Sequence, residues 1–156
     1  MRSLQSWFDE YGESHRHPVN SAIHWVCVPA IMFAVLGLLF ALPRPAAFAL
    51  LGPRLGNWAM VAIVLALGWY ALRSWRIALG MAAVTAAMVA GMHLLMLLPG
   101  RPWQWCMAVF VVAWVGQFVG HGIEGRKPSF LKDLAFLLIG PAWLLGKLYR
   151  RWGLAI

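Results

Sequence analysis

Four long apolar runs, separated by short polar connections, dominate the hydrophobic pattern of the chain. They cover approximately residues 21–42, 57–72, 77–98 and 103–122. About 20 residues cross the hydrocarbon core of a bilayer, so every run except the short second one spans it easily. The pattern predicts an all-α, polytopic membrane helical bundle with four spans.

An N-terminal amphipathic helix is expected before the first span. Within residues 4–11, large apolar side chains recur at i, i+3, i+4 and i+7, which favours a helix lying in the membrane interface. Pro18 then prevents one continuous helix into the first span. We expect Asn20 or Ser21 to cap that span at its N-terminus.

The distribution of Lys and Arg predicts the topology. With four spans and both termini in the cytoplasm, ten basic residues lie inside and three lie outside, as the positive-inside rule favours. The inner residues are Arg2, Arg16, Arg73, Arg76, Arg126, Lys127, Lys132, Lys147, Arg150 and Arg151, and the outer ones are Arg44, Arg54 and Arg101. A fifth span over the apolar stretch 134–148 would remove this asymmetry. We therefore expect that stretch to be a C-terminal re-entrant or interfacial pair of half-helices hinged at Pro141.

The composition supports the membrane class. Of the 156 residues, 62% are hydrophobic and only 12% are charged, whereas roughly a quarter of a soluble domain is charged. We expect residues 1–156 to form a single integral-membrane domain. The net charge of +8 fits an anionic lipid surface, so no nucleic-acid partner is expected. Cys27 and Cys106, each alone in an apolar run, are interpreted as small core residues.

The fourth span ends in a polar stripe formed by Gln117, His121 and Glu124. Their spacing of i, i+4 and i+7 puts the three side chains on one helix face. The Gly116-xxx-Gly120 pair lets another helix approach closely. The start of the first span is the natural partner, because the topology places it at the same membrane surface.

A transition-metal site is the functional hypothesis for this surface. The start of the first span contributes His24, and the loop before it contributes His15, so two more imidazoles approach the polar stripe. Neutral imidazole suits Zn, Fe, Cu or Ni, and a mixed histidine and carboxylate set is typical of non-haem Fe(II) oxygenases. Asn20 or Gln117 can orient a ligand ring.

The same residues allow other interpretations. Ordinary interfacial histidines explain the pattern equally well, and Glu124 can pair with Arg126 or Arg16 at the surface. A functional site could also belong to a haem- or quinone-binding protein, or to a Zn-dependent lipid hydrolase. A channel is disfavoured, because the second and third spans carry almost no polar residues.

Two histidines are not assigned to this site. His17 is expected to be a solvated loop residue. His93 lies about 24 Å along the third span from its start near Ile77, at 1.5 Å per residue, and should therefore lie apart from the others.

Two motifs carry a family resemblance. They are Tyr11…His15-x4-Asn20-x2-Ile23-His24-x4-Pro29 and, about a hundred residues later, Trp114-x2-Gln117-Phe118-x-Gly120-His121. In these motifs and their order, the chain resembles the membrane 2-hydroxy fatty acid dioxygenases, which are fungal enzymes of phytosphingosine breakdown and their bacterial relatives. The resemblance covers essentially the whole chain.

The resemblance implies an Fe(II)-dependent enzyme that uses O2 to shorten a 2-hydroxy fatty acid by one carbon. It implies His15, His24 and His121 as iron ligands, with Glu124 as a fourth ligand or a nearby base. The expected location is a bacterial inner membrane, with the acyl chain between the spans.

The anionic head of such a substrate needs a positive surface. The expected head-group contacts at the cytoplasmic interface are Arg16, Arg126 and Lys127.

Overall fold

The computed structural model describes residues 2–129 and 135–156, and within these ranges the chain is helical and has no strand. The helices are α1 (Leu4–Glu13), α2 (Pro18–Ala41), α3 (Gly52–Leu55), α4 (Trp58–Ala71), α5 (Trp75–Leu95), α6 (Pro102–Glu124) and α7 (Phe136–Arg151), and a 3₁₀ segment covers Ala46–Leu51. The prediction of an all-α fold is confirmed.

Three of these helices, α2, α5 and α6, are long and apolar enough to cross a membrane. Their 24, 21 and 23 residues correspond to about 31–36 Å at 1.5 Å per residue, which exceeds the roughly 30 Å of hydrocarbon. Helix α4 is also apolar, but its 14 residues extend only about 21 Å. All four coincide within a few residues with the apolar runs of the sequence.

Helix α1 has the predicted apolar stripe, and another helix covers it. Ser3 caps the helix by accepting a hydrogen bond from the Ser6 main chain. Leu4, Phe8 and Tyr11 are buried and belong to a core cluster that includes much of α7. The stripe thus fixes the N-terminal segment against α7.

The start of α2 differs from the prediction. The N-cap is His17, whose Nδ1 accepts a hydrogen bond from the Val19 main chain at 3.2 Å, and neither Asn20 nor Ser21 has that role. The reason is Pro18, because the first helical position suits its fixed φ angle and missing N–H. Asn20 is consequently inside the helix and fully buried, and His24 lies in its second turn.

Helix α7 also differs from the prediction. It runs unbroken through Pro141 from Phe136 to Arg151, so the expected pair of half-helices is wrong. Tertiary packing outweighs the missing hydrogen bond, because residues on both sides of Pro141, such as Ile139 and Trp143, are buried. Lys132 of the topology count and Leu134, where the apolar stretch begins, lie outside the described residues.

The antiparallel pair α2–α6 is the most extensive helix contact among the described elements. Glycines allow it, since a Cβ at Gly116 would lie 2.7 Å from the Cys27 Sγ. At the far end, a Cβ at Gly37 would collide with Cys106. Both cysteines are free. Cys106 is buried, which confirms the interpretation of it as a small core residue, whereas Cys27 is only partly buried.

Candidate metal centre

Three buried histidines from separate parts of the chain meet at one end of the α2–α6 pair. His15 comes from the loop after α1, His24 from α2 and His121 from the last turn of α6, and none is more than 4% exposed. One ring nitrogen of each can be chosen so that all three lie within 4.8 Å of one another. We call this group the histidine cluster.

His15 is held by α1. Its Nδ1 is hydrogen-bonded to the main-chain oxygen of Tyr11, and the Tyr11 ring stacks on the imidazole with centroids 4.0 Å apart. Burial, and then the neighbouring His24, lower the pKa of His15 to about 3, against the opposing effect of the Tyr11 carbonyl. The ring is therefore neutral at pH 7, as a metal ligand must be. Its Nε2 is buried without a hydrogen-bond partner among the described residues.

His24 is oriented by its own helix and by α6. Its Nδ1 lies 2.9 Å from the main-chain oxygen of Asn20, one turn earlier. The Gln117 side chain hydrogen-bonds to the same ring from α6. The ring is thus fixed from two sides, and its edge faces His15 at a centroid distance of 4.2 Å.

His121 occupies the last turn of α6, just before Gly125 ends the helix in the left-handed conformation (φ 70°). The chain turns back there, and the Arg126 main chain comes within hydrogen-bonding reach of the His121 ring. The Nδ1 of His121 is buried, with no hydrogen-bond partner within residues 2–129 and 135–156.

The histidine cluster fits a divalent transition metal. The rings of His15 and His24 are each hydrogen-bonded to a main-chain oxygen, which is typical of metal-binding histidines because it fixes the tautomer and the ring orientation. An ion about 2.1 Å from each nitrogen places any two of them at most about 4.2 Å apart, slightly closer than the 4.8 Å limit found here. Small ring rotations close that difference.

Glu124 lies beside the histidine cluster but outside the group of close ligand atoms. Its Oε1 accepts a hydrogen bond from the Arg16 main chain, and its Oε2 accepts one from the Asn20 amide, both at 2.7 Å. The Asn20 amide also donates to the Ser14 carbonyl at 3.0 Å. These contacts, which we call the Asn20–Glu124 bridge, tie the loop carrying His15 to α2 and α6.

The three predicted head-group residues lie around this bridge. The side chains of Arg16, Arg126 and Lys127 are exposed, and none of them lines the cavity described below. They form the basic rim of the site rather than its wall.

The two unassigned histidines lie outside the histidine cluster, as expected. His17 caps α2. His93 is near the opposite end of the bundle, where its ring meets Phe40 edge-on at 6.0 Å between centroids.

Sequence reasoning missed the aromatic support of the histidine cluster. The pattern indicates no role for Tyr11 beyond its place in the first family motif and none for Trp143, yet the Trp143 ring centroid lies 5.4 Å from that of His15. The spacing of Tyr11 and His15 at i, i+4 was a usable signal. Lys147, whose ammonium covers the Trp143 ring at 3.7 Å, could not have been found from spacing.

An apolar cavity of about 380 Å³ leads away from the histidine cluster. His24, Gln117 and His121 line one end, and apolar side chains of α2, α4, α6 and α7 form most of the remaining wall. The volume lies within the usual 300–1,000 Å³ range of ligand pockets. An apolar cavity with a few polar groups at one end suits an amphiphilic ligand.

Comparison with known proteins identifies the family of the chain. A protein-family model described as 2-hydroxy-palmitic acid dioxygenase Mpo1-like matches residues 1–152. No curated protein and no solved structure matches the chain. The match extends over nearly the whole sequence and includes every residue of the histidine cluster, which confirms the family resemblance. The chain belongs to the Mpo1-like family.

Proposed function

We propose that the protein is an Fe(II)-dependent dioxygenase that shortens 2-hydroxy fatty acids by one carbon with O2. The observation that carries this proposal is the position of the histidine cluster at one end of an apolar cavity. The imidazoles gather at that end and most of the remaining wall is apolar, so the carboxylate and 2-hydroxyl of a bound acid face the histidines while its acyl chain lies in the cavity. The family description supports the same substrate class.

His15, His24 and His121 hold the iron in this proposal. Bound Fe(II) would supply sites for O2 and for the head of the 2-hydroxy acid. The overall reaction, RCH(OH)COOH + O2 → RCOOH + CO2 + H2O, releases C1 as CO2 and needs no reductant besides the substrate. Three neutral imidazoles suit such an ion. They occupy only part of its coordination sphere, so positions are left for substrate and O2.

The neighbouring polar residues have positioning roles. Gln117 orients the His24 ring through their hydrogen bond. Asn20 and Glu124 hold the His15 loop against α6. Because both Glu124 oxygens already accept hydrogen bonds, this arrangement favours a positioning role for Glu124 over that of a fourth ligand or base.

The exposed basic rim recruits the substrate. A fatty acid carries a negative head at neutral pH, and Arg16, Arg126 and Lys127 provide positive charge beside the site without entering the cavity. Their contribution is attraction from the surface, which salt weakens.

The membrane arrangement proposed from the charge distribution remains the four-span model. Helices α2, α4, α5 and α6 cross a bacterial inner membrane, both termini are cytoplasmic, and α7 is an interfacial or re-entrant helix packed under the bundle. Flanking aromatic residues anchor the short α4, including Trp58 at its start and Trp69 near its end. The histidine cluster then lies at the cytoplasmic interface, where the head and the tail of a fatty acid find different solvents.

A Zn-dependent lipid hydrolase is the second candidate. The specific observation in its favour is that the close ligand group contains three histidines and no carboxylate, a set that also serves catalytic zinc. Such an enzyme would use a metal-activated water and would need no O2.

Metal analysis and product analysis together test the proposal. The protein is purified without a histidine tag, and its metals are quantified for the wild type, His24→Ala and His121→Ala. The wild type is then given 2-hydroxypalmitate with Fe(II) in air and under nitrogen. We expect near-stoichiometric iron in the wild type alone, and pentadecanoic acid that forms only in air.

Three results would contradict this expectation. Stoichiometric zinc, with hydrolysis of an added lipid ester under nitrogen, would favour the second candidate. A Soret absorption band in the purified protein would indicate haem. Metal retained at wild-type levels in both alanine variants would rule out the histidine cluster as the metal site.

A further inference from the structure

One face of α2 forms a continuous wall of the cavity. The lining residues after His24 recur with helical spacing and are Val28, Ile31, Met32, Val35, Leu36 and Leu39. From His24 to Leu39 this wall extends about 22 Å at 1.5 Å per residue. The cavity is therefore elongated along the bundle.

The α6 wall is shorter and ends at a packed barrier. Its lining residues run from His121 to Phe110, about 16 Å apart along the helix. Phe110 also packs against the core cluster of Ala34, Met92 and Cys106. The helices approach so closely there that a Cβ on Gly37 would collide with Cys106 and Met92. The space between α2 and α6 beyond Phe110 is thus filled by protein, and the cavity continues past it only along the α2 wall, as far as Leu39.

The length of the cavity matches one class of acyl chain. The acyl chains of membrane lipids fill one leaflet, which is about 15 Å of the roughly 30 Å hydrocarbon core. The 16–22 Å estimated from the two walls accommodates such a chain with its head at the histidine cluster. A much shorter acid would leave part of the apolar wall without a contact.

We propose that this cavity measures the substrate, selecting acyl chains of membrane-lipid length, and that Leu39 and Phe110 set the upper limit. This inference rests on the proposed function for the identity of the head group. The apolar wall provides affinity for each methylene it covers, and the far end of the cavity, formed by Phe110 on α6 and Leu39 on α2, excludes chains that extend beyond it. Specificity for chain length then resides at the end of the cavity farthest from the metal ligands.

Ligand binding to metal-free protein tests the proposal without relying on catalysis. Displacement of a fluorescent fatty acid is measured with 2-hydroxydecanoate, 2-hydroxypalmitate and 2-hydroxyarachidate. Leu39→Trp shortens the cavity, and each methylene that no longer fits should raise Kd about fourfold. We expect Leu39→Trp to weaken 2-hydroxypalmitate at least tenfold, by roughly two lost methylenes, and to leave 2-hydroxydecanoate unchanged.

A matched control and a reverse variant complete the test. Val112→Trp introduces the same bulk on the exposed face of α6, where Val112 is 72% exposed, and should leave all three affinities unchanged. Phe110→Ala removes part of the barrier and should tighten 2-hydroxyarachidate relative to 2-hydroxypalmitate.

Equal weakening of all three acids by Leu39→Trp would overturn the proposal, as would unchanged length preference in both cavity variants. Because the readout is binding, either result leaves the dioxygenase activity itself to be decided by the metal and product analysis. Conversely, if the protein shows the expected shifts in binding but forms no product, the selection of chain length is supported and the proposed dioxygenase reaction is contradicted.

Discussion

Two regions of this bundle hold histidines that make the same hydrogen bond to their own helix, and only one of them forms a cluster. His24 and His93 both direct Nδ1 at the main-chain oxygen four residues earlier, at 2.9 and 2.8 Å. The Nε2 of His93 is buried without a partner in the described part of the chain, as is the Nε2 of His15. The hydrogen bonds of the individual rings therefore do not distinguish the two regions.

The difference lies in convergence. Any helical histidine can reach the carbonyl one turn back, so that hydrogen bond says little about function. At the histidine cluster, however, three rings arrive from a loop and two helices with centroids 4.2–5.0 Å apart. The nearest ring recorded for His93 is that of Phe40, which is no metal ligand. A binding site is therefore identified by what several elements bring together.

The largest expected effect is on metal affinity, and it should separate the two regions when one histidine of each is replaced. His15→Ala deletes one of three ligands and should weaken metal binding by more than the 10–100-fold typical of losing an outer partner, so by over about 100-fold. His93→Ala should leave affinity at the wild-type value. Competition with a chromogenic chelator measures both. Equal losses in the two variants would mean that the histidine cluster is not the metal site.

A second, smaller effect should follow from weakening the Asn20–Glu124 bridge. Glu124→Gln keeps an oxygen for the Arg16 N–H but presents an NH2 group to the Asn20 amide, which also donates. We expect metal affinity to fall about 10–100-fold, with activity restored at saturating iron. Activity that stays absent in saturating iron would instead identify Glu124 as a ligand or base.

Features of the fold and the site that depend on residues close in sequence could be predicted, and those that depend on distant residues could not. The helices, the apolar stripe of α1 and the polar face of α6 depend on local spacing, which the sequence displays directly. The convergence of His15 on His121 was inferred from topology and from the family motifs. Neither source gave the hydrogen bonds of Glu124, because they depend on where the loop after α1 crosses the end of α6.

Two local rules failed for physical reasons. Asn20 is a good N-cap by type, but Pro18 set the start of α2 and left the asparagine free for the Asn20–Glu124 bridge. Pro141 is a helix breaker by type, but burial on both sides kept α7 intact. In the first case a neighbouring proline decided the outcome, and in the second the packing of α7 against other helices did.

The close approach that creates the histidine cluster can be broken by a single methyl group. A Cβ on Gly120 would collide with the buried Oδ1 of Asn20, whereas one on Gly122 would meet nothing within 4 Å. Gly120→Ala should destabilise the protein by about 1–3 kcal/mol through overpacking and also weaken metal binding. Gly122→Ala should be neutral or stabilise it by up to about 1 kcal/mol. Thermal unfolding in detergent compares them, and equal stabilities would reject the tight contact.

The smallest expected effect is on stability, and it comes from replacing His93, which lies outside the histidine cluster. Val89 is within α5, so its carbonyl keeps a helical hydrogen bond when the His93 ring is replaced, and His93→Leu removes a buried nitrogen without orphaning a partner. Replacing such a group by an apolar one of similar size is neutral or stabilising, by about 1 kcal/mol here. We expect unchanged metal content and activity with an equal or higher unfolding temperature. A loss of iron or of turnover in His93→Leu would show that the two regions are coupled, and that convergence alone does not define the site.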